Sequence, residues 1–313
     1  MSKNLKVIFI FFAFFVLSYY ELNLPYRCDR EIFYELRFPR YIGILISGFS
    51  LSSAGILLQY ITKNPLADPF IIGTSGGVMI SIILSRLFSV SSYSIIYLLM
   101  NSLFGLLSTL FAFKVSSASG RVISNILLSG FAINSIVFSL IVFFIIFSKE
   151  HSLYFLHISF GSFSYTNYSI ILHSVIFVLI LLMIVNYILK YIITISFDEE
   201  KAIVLGVDVK RIRLVVFIVS SFFTSISVTL SGMIGFVGLM IPHITRRLFY
   251  NYGFQATFFL NGFLSILFLL FSDIISKVFF YPVEFPPGIF SAVVGSLFFI
   301  YLVLKRKRKN ESY

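Results

Sequence analysis

The stretch Gly232-Met-Ile-Gly-Phe-Val-Gly-Leu-Met-Ile-Pro-His-Ile-Thr-Arg-Arg247 decides how this chain is read. It is apolar enough to lie inside a membrane. Yet it carries Gly232, Gly235 and Gly238 at three-residue spacing, then Pro242-His243 and two arginines. Glycines so spaced strip one helix face of side chains and let another backbone approach closely. A proline removes a main-chain donor, and at membrane depth only buried or wet surroundings compensate for that. The stretch therefore reads as a kinked, closely packed membrane helix in which Gly232, Gly235, Gly238 and Pro242 serve packing.

Composition carries this reading to the whole chain. Of 313 residues, 58% are hydrophobic and 12% charged, with a mean hydropathy of +0.99. A soluble domain carries about 25% charged residues. The expected fold class is an all-α polytopic membrane protein, residues 1–313 forming a single transmembrane domain. Forty phenylalanines without one tryptophan read as lipid-facing and interhelical filler. The lone cysteine, Cys28, excludes an internal disulfide framework and a cysteine-built metal site.

A span needs roughly 20 apolar residues. About ten transmembrane helices fit: 5–24, 41–61, 71–87, 93–113, 122–147, 168–195, 214–230, the glycine stretch to 247, 257–275 and 287–304. The first is long and lacks a small-residue cleavage site, so it reads as an uncleaved span with a cytoplasmic N-terminus. Charge tests that topology. The inner side then holds 17 of the 24 basic residues and 6 acids, the outer side 7 of each, so the whole +11 lies inside. That is the positive-inside bias, and no nucleic-acid partner is needed to explain the charge.

Several chemistries are missing. The four histidines show no H-E-x-x-H pattern, no phosphate-binding G-x-x-x-x-G-K-[ST] occurs, and Asp273 comes nearest to an acid within a span. A catalytic role and autonomous energy coupling are therefore not expected, and a pump of this kind would take its energy from a partner. Residues 197–213 lie on the inner face between two spans, where Ala202, Leu205 and Gly206 form a short apolar edge among charges. Such a segment either docks into another protein or is a solvated loop.

Four blocks make the chain resemble the FecCD/BtuC-like family of ABC transporter permeases. Arg37-Phe-Pro-Arg40 resembles the family's R-x-P-R. Gln59-x3-Lys63-Asn-Pro-Leu-Ala-Asp-Pro69 with Gly73-Thr-Ser-Gly76 resembles Q-x3-R-N-P-L-A-x-P…G-x-S-x-G-A. Ala202-x2-Leu205-Gly206-Val207 resembles the coupling segment, and Gly232-x2-Gly235-Phe-Val-Gly-Leu-x2-Pro242-His243-x2-Arg246 is the most specific block. A weaker fifth block is Glu284-Phe-Pro-Pro-Gly288 with Gly295. Lys63 stands for an arginine, Gly77 for an alanine and Leu297 for a proline.

The resemblance implies a multi-pass permease of the cell membrane, paired with a second copy or a paralogue. Two ATPase subunits would bind inside and a substrate-binding protein outside. ATP and magnesium would sit on the ATPase, with no cofactor in this chain. Arg37, Arg40 and Lys277 would dock the binding protein, interfacial snorkelling being their plainer reading. Ala202, Leu205 and Gly206 would couple to the ATPase. Asn64, Pro65 and Leu66 would form a cytoplasmic gate. Asn134 would line the pathway or make an interhelix hydrogen bond. The implied cargo is an iron–siderophore complex, with haem and vitamin B12 as alternatives within the family. The competing class is a secondary transporter that works alone.

Overall fold

The computed structural model describes residues 3–24, 29–117, 122–147, 152–279, 281 and 284–310. These are all helix and connection: α1 (Lys3–Asn23), α2 (Arg30–Thr62), α3 (Thr74–Leu87), α4 (Ile95–Ser117), α5 (Val122–Phe147), α6 (Ser152–Phe160), α7 (Tyr168–Phe197), α8 (Glu199–Val204), α9 (Val209–Ser231), α10 (Val237–Leu248), α11 (Phe254–Val278) and α12 (Pro287–Asn310). Seven are long and apolar enough to cross a membrane; α3 and α12 contribute shorter apolar runs. This agrees approximately with the expected ten, the glycine stretch being the segment that departs most from a full span.

The centre of the molecule is the pair α2 and α9, whose apolar windows are 78% and 72% buried, against 17% for α1 and 22% for α5. Serine explains why they pack so closely. Ser47, Ser50, Ser52 and Ser53 of α2 and Ser220, Ser221, Ser225, Ser227 and Ser231 of α9 are all buried, and across the pair Ser227 donates to the Ser47 carbonyl at 3.2 Å. Small residues let membrane helices approach without a hydrophobic driving force between them.

Three elements differ from the sequence expectation. First, α2 begins eleven residues before the expected span, through charged residues 30–40. Its helix continues past Pro39 because residues Phe33–Arg37 form a π turn, with Phe38 N–H donating to the Phe33 carbonyl. The wider turn relieves a ladder that proline would otherwise break. Second, residues 152–160, expected to be a connection, form α6. Third, the glycine stretch is not one helix. α9 stops at Ser231 and α10 starts at Val237, and the five residues between them run as non-helical chain, buried at 232–234 and part-buried at 235–236. At 12 residues α10 is only about 18 Å long, too short to span.

Irregular backbone survives at this depth only where protein satisfies it, and here it does. Met233 N–H donates to the Ile158 carbonyl at 2.8 Å, Ser162 N–H to Ser231 at 2.7 Å, and the Ser291 hydroxyl to Gly235 at 3.3 Å. Gly232 turns at φ +66, and a Cβ there would lie 2.4 Å from the Ile158 carbonyl oxygen. Gly235 departs from the packing role expected of it, since a Cβ there would meet nothing within 4 Å.

Candidate functional site

The two most specific blocks of sequence meet in one knot. Pro242 has no N–H to offer the carbonyl of Gly238, four residues earlier on α10. Gln59 of α2 supplies the missing donor: its Nε2 reaches the Gly238 oxygen at 3.3 Å and that of Leu239 at 3.2 Å. Gln59 Oε1 in turn accepts from the Arg246 guanidinium, which lies 5.7 Å above the Tyr60 ring. The helices can come this close because Gly55 faces Gly238; a Cβ at Gly55 would lie 1.9 Å from the Gly238 oxygen. Gly238 and Pro242 thus hold the structural role expected of them, and Gln59 is the partner that gives the proline its meaning.

Beyond the knot, α2 ends at Lys63, which is left-handed at φ 51. The Asn64 side chain then accepts from Leu66 N–H at 2.9 Å. Leu66 is part-exposed, and Pro65 borders an inner cavity of about 1040 Å³. Asp68 is buried, accepts from Phe70 N–H at 3.1 Å, and burial pushes its carboxyl up to about 6. Asn134 bonds to the same region: its amide donates to the Phe70 carbonyl at 2.6 Å and its oxygen accepts from Gly76 N–H at 3.0 Å. Of the two roles open to Asn134, the interhelix bond is the one formed. Both ends of a buried side chain are spent on α3 and its approach, so this geometry supports the interhelix reading.

Residues 197–213 run from the end of α7 through α8 and a turn into the start of α9. Asp198 caps α8 by accepting from the N–H groups of Lys201 and Glu200, which hold its carboxyl below the usual range. At the other end Val207 N–H reaches the Ala202 carbonyl at 3.0 Å and Gly206 N–H reaches Ile203 at 2.9 Å. This is a Schellman cap with glycine in the left-handed position, at φ +80. Ala202 is fully buried and anchors the helix from inside, so it offers no contact surface. Val204 and Leu205 are 87% and 72% exposed, and a Cβ on Gly206 would meet open space.

The outer cations are placed differently from expectation. Arg40 is buried and grips Asp273 with two parallel bonds of 2.9 Å, while its third nitrogen reaches Glu284 at 2.7 Å. Lys277 pairs with Asp273 at 2.9 Å and with Glu21. The cluster joins α1, α2, α11 and the chain leading into α12. Lys277 is 5% exposed with two internal acids, which corrects its docking role to that of a counter-ion. Arg40 is likewise turned inward, touching the surface only through half-exposed Glu284. Arg37 is part-buried and donates to the Leu22 carbonyl at 3.1 Å. Glu21, Asp273 and Glu284 were missing from the expected site because about 250 residues separate the partners. The one local signal is Asp273 and Lys277 four apart in an apolar helix.

A second cavity, of about 620 Å³, opens between α3, α6 and α7, where Arg86 lies 5.2 Å over the Tyr154 ring. No group of three metal-ligating side chains occurs among the described residues.

Comparison with known proteins places this architecture. The family model described as the FecCD transport family matches residues 5–305. The chain belongs to the FecCD transport family. It is a permease of the ABC importers, as the names of its relatives also read. Among the FecCD relatives, the iron-uptake system permease FeuC of Bacillus subtilis is 31% identical, covering 88% of this chain and 85% of FeuC. The Fe(3+)-citrate import permease YfmD of the same organism is 29% identical, covering 90% and 83%. The vitamin B12 import permease BtuC of Vibrio vulnificus is 28% identical, covering 88% and 84%. A solved metal-chelate type ABC transporter in an inward-facing conformation shares the fold, with a TM-score of 0.81 over 96% of this chain and 99% of that one, at 24% identity.

Proposed function

We propose that this FecCD permease is the membrane-spanning subunit of an ATP-driven importer of iron–siderophore complexes. It works in the cell membrane as a pair with a second copy or a paralogue. Two ATPase subunits on the cytoplasmic face bind ATP and magnesium, and an extracytoplasmic binding protein delivers cargo. The observation that carries the reading is the apolar tip of α8. Val204 and Leu205 stand out from the inner face on a capped, glycine-terminated turn, the shape of a knob awaiting a cleft.

On the outer face, Arg37 and Arg40 receive carboxylates of the binding protein. Glu284 occupies the one nitrogen of Arg40 that Asp273 leaves free, and an incoming acid takes Glu284's place there. Asn64, Pro65 and Leu66 narrow the inner end of the path. The iron cargo is supported by FeuC and YfmD, whose names specify iron uptake and ferric citrate import; the likeness to BtuC favours cobalamin as the second reading. Titrating the partner binding protein with ferric siderophores, haem and cobalamin separates these. Tightest binding of a ferric chelate is expected, and a preference for haem or cobalamin would reassign the cargo.

A further inference from the structure

The inner cavity of about 1040 Å³ lies where four helix ends meet: the ends of α2, α7 and α10 and the start of α11. Lys63, Arg246 and Arg247 line it together with His243, and no acidic residue does. None of those three cations has an ion pair with a described residue. The neighbouring α8 segment is different, for there Arg213 pairs with Glu199 at 3.1 Å and Lys201 with Asp198 at 3.4 Å. Arg246 is held by Gln59 and Tyr60, but no acid pairs with the cations of the cavity, while cations beside it are paired with acids.

The apolar part of the lining is as informative. Ile193 and Phe197 at the end of α7 and Phe254 at the start of α11 form one side. Phe197 and Tyr250 are largely exposed. Cations at the inner ends of spans, beside exposed aromatic and aliphatic groups, sit at headgroup depth with acyl chains alongside. An acidic protein segment would satisfy the cations but has no use for a lipid-level apolar wall.

We infer that this cavity binds the phosphate of an anionic phospholipid headgroup, with Lys63, Arg246 and Arg247 as its cationic lining and the acyl chains running along Ile193, Phe197 and Phe254. The inference rests on the cytoplasmic placement of this end. The site adjoins Pro65 of the gate and the chain leading into α8, so a bound lipid stands between the two.

The test uses the full-length permease, stripped of lipid in detergent and examined by native mass spectrometry. The probes are phosphatidylglycerol, phosphatidylcholine, glycerophosphoglycerol and inorganic phosphate. Retention of phosphatidylglycerol over phosphatidylcholine is expected, weakened about 30-fold in the K63Q/R247Q double variant. R247K should retain the lipid, and K190Q, a charge loss elsewhere on α7, should match the parent. Equal retention of the two lipids, or no loss in the double variant, would overturn the inference. Retention of inorganic phosphate or glycerophosphoglycerol as strong as that of intact lipid would make this a free-phosphate site and overturn it too. If the double variant keeps its lipid but loses the ATPase, the cavity belongs to that protein instead. Lack of uptake by the parent leaves the lipid readout intact, so the two proposals fail separately.

Discussion

Replacing Lys277 with methionine tests whether the outer charge cluster is internal structure or a docking surface. Lys277 is the cation that Glu21 touches, and Glu21 is 1% exposed with its second oxygen unpartnered. Without Lys277 that carboxylate is stranded in the protein interior, since Arg40 is already committed to Asp273 and Glu284. Removing one partner of a buried pair costs about 3–5 kcal/mol. The E21Q/K277M double variant removes both charges and leaves the grip of Arg40 on Asp273 intact, so most of the loss should return. Unfolding of all four proteins in detergent gives the coupling energy, expected to be about 2 kcal/mol or more. If K277M lies within about 0.5 kcal/mol of the parent, or the two losses simply add, the counter-ion role is refuted and the docking role regains its ground.

Four further outcomes follow from the inner half of the chain. Q59L removes the donor that serves the carbonyl Pro242 leaves free, and should cost about 1–3 kcal/mol in thermal unfolding; unchanged stability would reject the knot. G206A should cost only about 1 kcal/mol, because its Cβ meets open space and only the left-handed backbone is strained. G206L should leave the permease folded while lowering uptake per ATP hydrolysed, and normal coupling in G206L would exclude this face as the ATPase contact. Asp68 prefers to be protonated in the folded chain, at about 6 against 3.8. Its favourable share is therefore complete below 3.8 and lost as pH rises through 6, a penalty of about 3 kcal/mol. D68N should raise the melting temperature above pH 6 and not below pH 4; a gain independent of pH would contradict the burial argument.

The helical class and most spans were legible in sequence because lipid demands long apolar runs. The run expected at 122–147 is helical at every one of those residues. What sequence hid were features that depend on partners far along the chain. Residues 30–40 look like a polar connection because their charges are satisfied from helices that pattern alone cannot place nearby: Arg40 by Asp273 and Glu284. The break at residues 232–236 is invisible as hydropathy, since buried irregular chain is as apolar as helix. Glycine spacing pointed to close approach, and the structure confines that to Gly232 and Gly238. Gly206 kept its expected prominence for a local reason, the cap it alone can complete.

The central claim is that this FecCD permease moves cargo only when an ATPase drives it through α8. Uptake of radiolabelled ferric siderophore into proteoliposomes measures this directly, with the permease reconstituted alone, with the ATPase, and with both the ATPase and the binding protein. Uptake that needs both partners and ATP is the predicted result. Sustained uptake by the permease alone, driven by an ion gradient and indifferent to ATP, would contradict the account and establish a secondary transporter.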